Sequence, residues 1–63
     1  MNFIWQAATD LGTVEVRAVS EAQAKCRARY KAVHQRFYGR PADLARKVKR
    51  CEAHSIKLVG QEA

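Results

Sequence analysis

Sixty-three residues carry twelve Lys and Arg against six Asp and Glu, a formal charge of +6, with 48% of positions hydrophobic. A chain of this length forms one small domain and buries only about 60% of its unfolded surface, leaving little core to support a cleft with buried catalytic groups, so an enzyme is not expected. The apolar fraction argues against disorder, and no run approaches the ~18 apolar residues of a membrane span.

The first eighteen residues read as a β-hairpin. Phe3, Trp5 and Ala7 alternate with Ile4, Gln6 and Ala8, the period of two that a strand imposes. Thr9-Asp10-Leu11-Gly12 supplies turn chemistry, with Gly12 free to take a positive φ. Thr13 to Ala18 then alternates again, with Val14, Val16 and Ala18 inward and Glu15 and Arg17 outward.

Ser20-Glu21-Ala22-Gln23 is a capping box opening a helix that should run to about Tyr38. Ala22, Cys26, Tyr30, Val33 and Phe37 step by four, four, three and four, one apolar stripe. Opposite it lies a strip of small residues, Ala24 and Ala28 with Ala32 and Gln35 nearby. Such a strip lets another backbone approach, either the second helix or a second protomer, although alanine is also simply the best helix former. Gly39 is a natural stop. Pro41 suits the first position of a second helix, expected from Pro41 to about Ala53 with Leu44, Val48 and Cys51 on one side. His54-Ser55 should break it, Ile56 to Val59 should form a short strand, and residues 61–63 should fray. The expected fold is therefore α+β in the order ββααβ, with both helices on one face of a small three-stranded sheet.

Cys26 and Cys51 permit one disulfide. The opening Met1-Asn2-Phe3-Ile4-Trp5-Gln6, however, shows neither a basic n-region nor an apolar h-region. A cytoplasmic location with both thiols reduced is the expectation. Homodimerisation is then the other common way for so small a domain to gain buried area. Cys26, His34, Cys51 and His54 could tempt a zinc assignment, but C-x7-H and C-x2-H match no compact zinc knuckle. No metal, cofactor or Cys–His nucleophile is expected.

Charge is the informative feature. Ten of the twelve cations lie between Lys25 and Arg50, opposed there only by Asp43, with Glu21 just upstream. On the second helix, Arg46, Lys47, Lys49 and Arg50 fan across the side away from Leu44. On the first, Lys25, Arg29 and Arg36 line one flank of the apolar stripe, and Arg27, Lys31 and His34 line the other. With Arg40 between the helices, these residues suit an anionic partner, although Lys and Arg beside a buried stripe also commonly lie down over the core edge. Two helices joined through Gly39 suggest a helix-turn-helix, but the second offers Arg, Lys and Ala rather than the Gln, Asn, Ser and Thr that read base edges. Backbone contact fits that composition better. Tyr38 stands off the stripe as the aromatic best placed for an exposed contact. A stacking platform on the open sheet face is disfavoured, since that face would carry Ile4, Gln6, Thr13, Glu15 and Arg17.

The stretch Trp5 to Val16, followed by Ala18-Val19-Ser20-Glu21-Ala22, with Ala18, Ser20 and Ala24 spaced as A-x-S-x-x-x-A, resembles small bacteriophage and prophage accessory proteins. The resemblance covers the first third of the chain. It implies a non-enzymatic protein that binds host or phage components, nucleic acid, host regulators and defence complexes among them, and it carries no residue roles.

The sequence thus leads to a small binding protein using Arg46, Lys47, Lys49, Arg50, Arg40, Lys25, Arg29 and Arg36 on an acidic partner, with Tyr38, Ala24 and Ala28 as further interface candidates. Nucleic acid held by its backbone is the leading partner, and a membrane is not expected. An inhibitor or adaptor gripping an acidic host protein is the alternative.

Overall fold

The computed structural model describes residues 2–61. Its elements are β1 (Phe3–Thr9), β2 (Gly12–Ala18), α1 (Glu21–Arg36), α2 (Pro41–Arg50) and β3 (Ala53–Gln61). The order is ββααβ, and the antiparallel sheet runs β2-β1-β3, so the first strand lies at the centre.

Local chemistry builds the hairpin as expected. The Thr9 hydroxyl donates to the Gly12 carbonyl at 2.7 Å and accepts from the Leu11 N–H at 3.2 Å. Gly12 takes φ 117°, which side chains with a Cβ resist. The register pairs Trp5 with Val16 and Ala7 with Val14, placing these four on the helical side of the sheet. α1 opens on its cap: the Ser20 hydroxyl accepts from the Gln23 N–H at 3.2 Å, and the Gln23 side chain accepts from the Val19 N–H at 2.9 Å.

α1 is turned about its axis relative to the expected stripe. Ala24, Ala28 and Ala32 are buried with Val33, whereas Ala22, Cys26 and Tyr30 are exposed and Phe37 is half-buried just past the helix. The alanine strip meets the sheet, packing on Ala7, Val16 and Ala18 beside Trp5 and Val14. Bulky side chains on the strands are best matched by small ones on the helix, which lets the helix sit close. Ala24 and Ala28 therefore belong to the core and are not an outer interface.

A second cluster joins Ala32, Val33, Leu44 and Cys51, flanked by Leu11, Val14, Phe37 and Val48. α2 leans on α1 and reaches the sheet through this cluster near the β1–β2 turn. No helix among the described residues is long and apolar enough to cross a membrane.

Four boundaries differ from expectation. α1 stops at Arg36, because Phe37 is extended, although its N–H still reaches the Val33 carbonyl. α2 stops at Arg50 and β3 begins at Ala53, so His54 and Ser55 lie within a strand. The cause is a clasp from the far end of the chain: the Asp10 N–H donates to the Glu52 carbonyl at 3.1 Å, and the Asp10 carboxylate accepts from the Glu52 N–H at 3.0 Å. Once Glu52 is drawn alongside β1, the following residues extend the ladder. The pairing skips His54 and Val59 at two register shifts. Gln61 pairs with Phe3 and is part of β3, not a frayed tail; residues 62 and 63 of that expected tail lie outside the described residues.

Candidate functional site

The cations of the middle segment divide into three groups with different work. The first is structural. The Arg29 side chain donates through Nε to the Cys51 carbonyl at 2.7 Å and through Nη2 to those of Val48 and Lys49 at 2.9 and 3.3 Å. It thus covers the carbonyls left unpaired where α2 ends and sets positive charge at the negative end of the helix dipole. Arg27 Nη1 and Lys31 Nζ likewise donate to the Arg17 and Glu15 carbonyls of β2, at 2.7 and 2.6 Å. Arg29 is thereby removed from the expected partner-binding set.

The second group borders a hollow beside the start of β3, lined by Lys25, Arg29, Lys49, Cys51, Glu52 and Ala53. Lys25 stands 3.7 Å from Glu21. With Glu21 and Glu52 close by, this flank mixes signs.

The third group surrounds the connection between the helices. A shallow hollow of about 440 Å³ is lined by Tyr38, Gly39, Asp43, Arg46, Lys47 and Arg50. Tyr38 is fully exposed, with a relative exposure of 101%. The N–H of Phe37 closes α1, and Pro41 starts α2 after the extended Arg40, so the short link between them has no helical packing to cover the ring. The Lys47 ammonium lies 4.4 Å from the centre of the Phe37 ring, a cation–π contact that fixes its stem. Arg46 reaches Asp43, one turn earlier, at 3.7 Å with both side chains exposed. Lys47 and Arg50 also line the neighbouring hollow over Asp10, Leu11, Phe37 and Cys51.

Arg36 and Arg40 border the same end of the molecule. Arg36 lies against the β1–β2 turn, where a Cβ added at Gly12 would sit 3.5 Å from its Nη2. Arg40 is the exposed N-cap of α2, and its side chain makes no capping bond. The structure therefore brings Arg46, Lys47, Arg50 and Tyr38 together, with Arg36 and Arg40 nearby, and sets Lys25 and Lys49 on a separate flank.

Two features gave no signal in the sequence. Lys31 and Arg27 as covers of a strand edge depend on how α1 lies across the sheet. The Asp10 carboxylate also meets the His54 ring, a pairing across forty-four residues that no local pattern encodes. The Glu52 N–H, followed by His54, holds the Asp10 carboxyl below its ordinary value, since both favour the charged form.

Neither cysteine is in a disulfide; Cys51 is buried and Cys26 exposed. His34 stacks on Tyr30 with ring centroids 3.8 Å apart and donates from Nδ1 to the Tyr30 carbonyl. Among the described residues, no three of His, Cys, Asp and Glu gather closely enough to hold a metal ion. Comparison with known protein families, with curated proteins and with solved structures finds no match to this chain.

Proposed function

We infer that this chain is a small non-enzymatic accessory protein, of the bacteriophage kind its opening resembles, that binds nucleic acid through phosphate contacts at the α1–α2 connection. The observation carrying this reading is the hollow in which Arg46, Lys47 and Arg50 surround the exposed Tyr38, with Asp43 as its one carboxylate. Guanidinium and ammonium groups on one rim neutralise successive phosphates and release their counterions. An uncovered ring beside them offers a face on which a base can stack, a contact that tolerates any sequence. Arg36 and Arg40 extend the positive field at that end, whereas Lys25 and Lys49 sit on the mixed-sign flank and contribute less.

The test is fluorescence anisotropy with a labelled oligonucleotide, single-stranded and duplex, across a salt series. Three to five phosphate contacts give a slope of log K on log salt of about −3 to −5 for duplex. Replacing both Arg46 and Arg50 by Ala lowers the slope by about 2 while the far-UV circular dichroism is unchanged. Tyr38→Ala weakens single-strand binding by about 1–3 kcal/mol and duplex binding less. Affinity that does not fall with salt, or a double variant that binds as the parent does, overturns the reading. Capture of a single acidic host protein after nuclease treatment would instead favour the inhibitor or adaptor role.

A further inference from the structure

The two outer edges of the sheet are finished differently. Along β2, the Glu15 and Arg17 carbonyls accept from Lys31 and Arg27, so two side chains of α1 arch over that edge and occupy acceptors another strand would need. Those carbonyls point away from β1. Backbone direction alternates along an antiparallel ladder, so Gln6 and Ile4, opposite Glu15 and Arg17, aim their backbone groups at β3. Lys57, opposite Gln6, aims its own back at β1. Ile56 and Leu58, on either side of Lys57, therefore turn N–H and C=O outward. Among the described residues no side chain covers these groups. Leu58 and Val59 are 52% and 53% exposed there, beside the exposed Lys57.

We propose that β3 is a homodimer seam, pairing antiparallel with the β3 of a second copy. The sheet would then run β2-β1-β3-β3-β1-β2, and both outer edges would be the β2 edge that Arg27 and Lys31 already close. A two-fold pairing of this kind uses the one open edge on each chain and leaves none for further growth.

Surface area points the same way. A folded monomer of 7.1 kDa exposes about 4,100 Å², whereas this chain exposes 4595 Å². The surplus of roughly 500 Å² approaches the ~600 Å² that each partner contributes to a small specific interface. The core is correspondingly thin. Among the described residues, five of the nine buried apolar ones are alanine, and Val33 is the largest side chain fully enclosed. Both cysteines are free, and a second copy is one supplement open to a domain of this size. α2 leans on α1 rather than on β3, so the seam forms away from the Arg46–Lys47–Arg50 hollow and keeps both hollows open.

Sedimentation velocity on the full chain at a concentration on the order of 100 µM should return twice the monomer mass. A monomer, or an assembly larger than a dimer, overturns the proposal. Leu58→Pro removes an outward N–H while sparing the ladder to β1, so a folded monomer is expected, with the dimer dissociation constant raised more than about tenfold. Should circular dichroism show that this variant does not fold, Leu58→Lys decides between the same two outcomes. A folded variant that remains dimeric refutes the seam.

Discussion

Arg29 anchors two elements with one side chain. Its hydrogen bonds to the Cys51, Val48 and Lys49 carbonyls tie the middle of α1 to the end of α2. Hydrogen bonds to a charged group contribute about 1.5–3 kcal/mol, less where water can replace them. Arg29→Met should therefore destabilise the fold by about 1–3 kcal/mol, lowering Tm by roughly 4–8 °C per kcal/mol in a domain of this size. Arg29→Lys should recover only part of the loss, because one ammonium cannot span three carbonyls as a planar fork can. Thermal melts of the three proteins check this. Arg46→Ala, by contrast, should leave Tm nearly unchanged, since its contact with Asp43 is exposed at the surface.

At the scale of elements, the decisive matter is which way α1 faces. Heptad-like spacing picked out Cys26 and Tyr30, yet the helix buries Ala24, Ala28 and Ala32. Periodicity registers hydropathy, while the sheet responds to volume: Ala24 and Ala28 pack on Ala7, Val16 and Ala18 beside Trp5 and Val14, and close-packed interiors leave little room for added atoms. Ala28→Leu should cost about 1–3 kcal/mol through overpacking, and Cys26→Leu should stay within about 0.5 kcal/mol. Urea midpoints of the two variants distinguish the orientations. The hairpin, the capped start of α1 and the Pro41 start of α2 were legible because each rests on chemistry within four residues. The end of α2 and the start of β3 were not, because Asp10 sets them from across the chain. The candidate site was legible as charge and not as geometry. Arg46, Lys47 and Arg50 share one helix face, but nothing local reveals that Arg29 is committed to carbonyls or that Lys25 and Lys49 lie elsewhere.

On the scale of the whole molecule, the same clasp links acid response to global stability. Asp10 joins the β1–β2 turn to the start of β3 through Glu52 and His54, and its pKa is lowered in the folded state. A carboxylate with a depressed folded pKa stabilises fully above its unfolded value, about 3.9, and loses that contribution as pH falls through the folded value. The stability gap between the parent and Asp10→Asn should therefore shrink as pH falls below about 4. Urea titrations at several pH values measure it. A gap that persists undiminished well below about pH 4 would contradict the assignment.

The central place of β1 in the sheet has a temporal consequence. Of the five elements β1 is synthesised first, yet one of its two neighbours is β3, the last of the five. The clasp at Asp10 and the second ladder on β1 must wait until the chain has been made through Gln61. Released fragments ending at Arg50 should therefore remain protease-sensitive, and fragments reaching Gln61 should become protected.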